Sequence, residues 1–252
     1  MNPTARLEAA DAVSLRPSLD ALDAALRRTR DGESPEGPHG IRIATRRLDA
    51  WLRVAGVRVL RDDLRWLRRC AGELRELDVL LASSPPDKWL KQLRKQRKTA
   101  HGALLDAVDA PRTFGLLAGL RGQPPLPRSD FERAATALAA RLLQAGDALL
   151  RKPVPDAADP DVSLALHDLR IRAKRLRYTM EWLGQETGSL RALQDALGAL
   201  SDMDDRLRRA DSGLDGAALD ALREDVASGR AQALESAAGT WRRLRAELRR
   251  ED

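Results

Sequence analysis

Apolar residues recur at spacings of three and four along almost the whole chain, and that periodicity is the signature of amphipathic helices. Residues that favour strands are scarce. Aromatic side chains make up 3% of the 252 residues, and Ala, Leu and Arg far outnumber Val and Ile. The expected class is therefore all-α. Clusters of Pro and Gly at residues 31–38, 83–86, 122–127 and 152–155 punctuate the pattern. Between them we expect about eight helices.

The break at 122–127 falls at the middle of the chain, and the second half repeats motifs of the first. His39-Gly-Ile-Arg42-Ile-Ala-Thr-Arg46-Arg47-Leu48 aligns with His167-Asp-Leu-Arg170-Ile-Arg-Ala-Lys174-Arg175-Leu176, an offset of 128 residues (39 to 167). The segment from Leu64 to Leu74 aligns with that from Leu190 to Leu200, an offset of 126 (64 to 190). A weaker third match sets Leu93-Arg94 and Leu105 against Leu222-Arg223 and Leu234. Ordered matches at near-constant offset point to internal duplication. The expected architecture is a single domain over residues 1–252 built from repeat halves 1–125 and 126–252. Each half would be a four-helix bundle, too short to be stable alone, and the two would be related by a pseudo-two-fold axis around a basic groove.

The first repeat carries the unusual residues. On a helix advancing about 100° per residue, His39, Arg42, Arg46 and Arg53 form one stripe, Arg47 flanks it, and Ile41, Ala44, Leu48, Trp51 and Leu52 form the opposite, core side. The second copy places His167, Arg170, Lys174 and Arg177 in the same stripe with Arg175 at its flank, Tyr178 near it, and Leu169, Leu176, Met180 and Leu183 opposite. Glu181 stands where Arg53 stood, one turn beyond Arg177, and is placed to pair with it. A solvated helix face ordinarily mixes charges of both signs. These stripes hold cations on successive turns, a repulsive arrangement that a purely structural role does not explain. Each His is expected near its helix N-terminus, where free N–H groups favour anions. Arg forks suit phosphate oxygens, and donors one turn apart, about 5.4 Å, can follow a phosphate chain. Lys91, Arg94, Lys95 and Lys98 make a third basic face, so Arg94 and Lys98 join the candidates, and the groove is expected to be more positive in the first half.

Composition narrows the function. The net charge of +6 favours an anionic partner. No stretch approaches the roughly 20 apolar residues of a membrane span, no apolar signal region succeeds the first residues, and Cys70 is the single cysteine. These features fit a cytoplasmic protein with no membrane partner. No P-loop motif occurs, and Asp49 and Glu181 look isolated on the basic faces, so we expect no catalytic residue, no metal site and no cofactor. Sequence-independent nucleic-acid binding is the main alternative, because its electrostatics are the same. Few aromatic residues interleave the stripes to stack on bases, so such binding would be weak. A polyphosphate-processing accessory enzyme and a scaffold for an acidic protein are the other readings.

The two His-x-x-Arg-x-x-x-[Arg/Lys]-Arg segments, together with Leu74-Arg-Glu-Leu-Asp78-Val-Leu-Leu and the segment from Leu190 to Leu200, resemble the signatures of the CHAD domain, the conserved histidine α-helical domain. The resemblance covers essentially the whole chain. It implies two four-helix bundles around a basic cavity, binding of inorganic polyphosphate, and association with polyphosphate granules. The ligands it implies are His39, Arg42, Arg46, Arg47, His167, Arg170, Lys174 and Arg175. Arg53, Arg94, Lys98 and Arg177 come from the face argument alone. Asp78 and Asp204 align between the halves, and we read them as orienting basic side chains rather than touching phosphate.

Overall fold

The computed structural model describes residues 11–32, 34–82, 87–150, 159–210 and 216–249. The breaks read at 83–86 and 152–155 lie outside these residues. The chain forms two compact units, Met1–Asp130 and Phe131–Asp252. Nine helices appear among the described residues.

The first unit holds α1 (Arg16–Asp31), α2 (Glu36–Val54), α3 (Val59–Ala82), α4 (Asp87–Val108) and α5 (Pro111–Arg121). Expectation placed four helices here, and the structure has five. The extra one begins at a corner whose signal is Pro111. The residue before a proline avoids the helical region, and Ala110 is accordingly extended at φ −68° and ψ 144°, which ends α4 and lets α5 restart. Short strands β1 (Ala12–Val13) and β2 (Leu126–Pro127) also pair antiparallel, a feature absent from the sequence reading. The Trp51 indole, fully buried, donates to the Val13 carbonyl at 3.1 Å and ties this ladder to α2. Leu19, Leu22 and Leu26 of α1, Ile41, Leu48 and Leu52 of α2 and Leu64 and Leu67 of α3 are buried in the core, all at most 1% exposed.

The second unit holds α6 (Arg128–Leu150, whose first turn precedes the unit boundary), α7 (Pro160–Trp182), α8 (Gly188–Ala210) and α9 (Gly216–Leu248). Its core is leucine-rich, from Leu142 through Leu169, Leu193 and Leu234 to Leu244. Trp241 of α9 packs directly on Gly146 of α6, leaving no room for a Cβ there. Its indole donates to Asp147, which also takes Arg245 at 2.6 Å and Arg249 at 3.3 Å.

Helices α2 and α7 stop in the same way. Gly56 and Gly184, 128 residues apart, have φ of 72° and 70°, the left-handed conformation that glycine alone adopts without strain. The Val57 and Gln185 amides then reach back to the Leu52 and Met180 carbonyls, each at 3.0 Å, while Gly56 and Gly184 donate to Arg53 and Glu181. Both are Schellman terminations.

Candidate functional site

The core face expected for α2 is buried: Ile41, Leu48, Trp51 and Leu52 have no exposure and Ala44 has 2%. On the other side Arg42 and Arg46 are half-buried, and His39, Arg47 and Arg53 are exposed. Opposite them, α3 contributes Arg68 and Arg69. These four arginines, Arg42, Arg46, Arg68 and Arg69, line a pocket of about 240 Å³ whose wall is completed by Gly72, Glu73 and Glu76.

Gly72 lets Arg42 lie close on α3: a Cβ at that position would lie 2.6 Å from the Arg42 guanidinium and would shift it. The charge density is high. Burial, chiefly, holds the Arg68 guanidinium below its usual range, and Arg46, Arg53 and Arg42 add repulsion that Asp49 partly offsets. An arginine remains protonated in such a setting, so the pocket keeps its positive charge and gains from any anion that enters.

Asp49 is not an isolated acid. Its carboxylate takes Arg53 at 2.9 Å and Arg61 at 3.0 Å. Burial alone would push its pKa up, but the hydrogen bonds and charges of Arg61 and Arg53 outweigh this and hold it below the usual carboxylate value. Arg53 thus belongs to an ion-pair cluster bracing α2 on α3, and it does not line the pocket. Arg94 and Lys98 are exposed on α4 and do not line it either. Asp78 is bonded to Arg97 of α4 at 2.7 Å, so it does orient a basic side chain. The Asp204 side chain lies outside those described.

In the second unit, Leu169, Leu176, Met180 and Leu183 are buried as expected, Arg170 and Lys174 are half-buried, and His167 and Arg175 are exposed. Arg170 repeats the packing of Arg42: a Cβ on Gly198 of α8 would lie 3.1 Å from its guanidinium. The Arg170 Nε is buried without a hydrogen-bond partner among the described residues. Arg177 pairs with Glu181 at 2.8 Å, as its spacing predicted, and lies 4.3 Å from the Tyr178 ring centroid. Glu181 also takes Arg191 at 3.4 Å, so it too is not isolated. Tyr178 is 8% exposed and belongs to the core side rather than the stripe. Where Arg68 and Arg69 stand in α3, the aligned residues of α8 are Gln194 and Asp195, and the Gln194 amide is spent on the Leu190 carbonyl.

Two expectations about the helix starts are corrected. At α2, Glu36 donates to the Ser34 hydroxyl, Gly37 to the Ser34 carbonyl and His39 to the Pro35 carbonyl, while Pro38 has no N–H. No free amide remains there for an anion. At α7 the Asp159 cap, which accepts from the Asp161 amide, starts the helix at Pro160, so His167 lies two turns inside it. The side chains carry the charge, and the helix ends do not.

Arg68 and Arg69 are hard to single out in the sequence because leucine spacing dominates the segment from Leu64 to Leu74. The available signal was Gly72, a mid-helix glycine recurring as Gly198 and placed one turn after Arg68. Among the described residues no cluster of His, Cys, Asp and Glu could hold a metal ion, and no helix is long and apolar enough to cross a membrane.

No curated protein matches the chain in sequence. A crystal structure of the CHAD domain from the plant Ricinus communis is similar in fold, with a TM-score of 0.66 and 21% identity, covering 96% of each chain. The CHAD domain family model matches residues 14–204, a span that includes both arginine-over-glycine contacts and both basic helices. By that match over most of its length, the chain belongs to the CHAD domain family.

Proposed function

We propose that this protein binds inorganic polyphosphate and that the α2–α3 arginine pocket is its principal anchor. The observation that carries the reading is four arginines, Arg42, Arg46, Arg68 and Arg69, lining one small pocket. Planar forks of this kind bond phosphate oxygens two at a time. Membership of the CHAD family, linked in general to polyphosphate, supports the same ligand. Arg47 extends the contact along α2. His167, Arg170, Lys174 and Arg175 form a second and weaker contact on α7. The matching glycine stops and arginine-over-glycine contacts support reading the two units as copies of one repeat.

We read the protein as a binder rather than a catalyst, acting without a cofactor, in the cytoplasm and at polyphosphate granules. The test is calorimetric titration with long-chain polyphosphate, single-stranded DNA and double-stranded DNA at about 0.15 M salt, where the Debye length is about 8 Å. Tight binding of polyphosphate with DNA far weaker is expected. Equal affinities would reduce the pocket to a general phosphate-backbone surface.

A further inference from the structure

The pocket is not uniformly positive. Its α3 wall runs from Arg68 and Arg69, through Gly72, to Glu73 and Glu76, all on one side of the helix. At 1.5 Å per residue, Arg68 and Glu76 stand about 12 Å apart along the axis, with Gly72 midway. Glu73 and Glu76 are exposed, and among the described residues neither makes an ion pair or hydrogen bond. Arg69 and Glu73 are spaced for an i,i+4 pair, yet that pair does not form. Two acidic side chains without an ion-pair partner thus stand at one end of the pocket. Arg42, lying on Gly72, is the last cation before them.

We propose that Glu73 and Glu76 make the pocket directional: they disfavour polyanions at the Glu76 end, so that a bound phosphate chain leaves preferentially past Arg68 and Arg69. This rests on the polyphosphate-binding function and concerns the specificity of the same site. Repulsion is as effective as attraction in setting specificity. Gly72 is about 6 Å along the helix from Glu76, inside the Debye length of about 8 Å at physiological salt. A chain threaded through the pocket would bring phosphates against both carboxylates. A chain whose end lies at Arg42 would not. The same acids spare short phosphates, which fit wholly among the arginines. In α8 the aligned positions are Ala199 and Asp202, so the second unit keeps only one of the two acids.

The test is the double variant Glu73→Gln/Glu76→Gln, titrated with tripolyphosphate and with long-chain polyphosphate at equal salt. Long-chain affinity should rise about five-fold, because two like charges within a Debye length are removed. Tripolyphosphate affinity should change by less than about two-fold on the same argument. Asp20→Asn/Asp106→Asn is the control. It makes the same charge change at exposed positions off the pocket and should give no length-dependent gain. An equal gain for both ligands, a gain matched by the control, or any loss of long-chain binding with an unchanged melting temperature would overturn directionality while leaving the site in place. Wild-type protein that binds neither ligand would remove the site itself.

Discussion

The α2–α3 pair of the first unit and the α7–α8 pair of the second share a frame and differ in charge. Both stop their basic helix at a left-handed glycine, and both lay an arginine over a glycine of the next helix. In both, a half-buried or buried carboxylate holds two arginines: Asp49 takes Arg53 and Arg61, and Glu181 takes Arg177 and Arg191. They part at the positions of Arg68 and Arg69, which become Gln194 and Asp195. Backbone spacing and bracing are alike in the two pairs, and the charge on the second helix of each is not. The two demands fall on different residues, so one can drift while the other is fixed.

The comparison breaks most readily by charge reversal. Arg46→Glu/Arg68→Glu should weaken polyphosphate binding roughly a hundred-fold, about 2.8 kcal/mol, while Lys174→Glu should cost less than about ten-fold, or 1.4 kcal/mol. Equal losses by calorimetry would make the two units equivalent and remove the ranking. Next comes Asp49→Asn, which leaves Arg61 half-buried without its carboxylate. Loss of one partner of a buried pair costs about 3–5 kcal/mol, and partial exposure here lowers this to about 2 kcal/mol. Because Asp49 is held below its usual value, its stabilisation is full above about pH 4 and is lost as pH falls through the lowered folded value. The gap in melting temperature between wild type and Asp49→Asn should therefore be wide at pH 7 and shrink at pH 3. A gap unchanged with pH would show that the carboxylate's charge is not what braces α2.

The smallest effects sharpen the comparison. Gly72→Ala should displace Arg42 and weaken binding about ten-fold. The same change at Gly198, where the contact is looser, should cost about two-fold. Both variants gain up to about 1 kcal/mol of helix propensity, so melting temperature should hold or rise as affinity falls. A fall in both would mean that the glycines serve packing alone.

The parts legible in the sequence are those decided by local periodicity. The buried faces of α2 and α7 follow from spacing of three and four, and the Arg177–Glu181 pair follows from one helical turn. What was illegible depends on neighbours far along the chain. Asp49 looks isolated until Arg61 arrives from α3, and Arg68 looks like surface until Gly72 brings Arg42 across it. Ala110 was readable from Pro111, but a single extended residue between two helical patterns carries little weight against the apolar repeat around it.

The pairing of Ala12–Val13 with Leu126–Pro127 means that the chain enters and leaves the first unit at adjacent points. A unit with neighbouring ends behaves as a closed loop, and its topology tolerates being cut elsewhere and rejoined there. New termini opened at the exposed turn after Gly56, with a short linker closing the old ones, would keep the Trp51 tie and the core intact. For the same reason a chain joined to those ends would meet the unit at a single doorway.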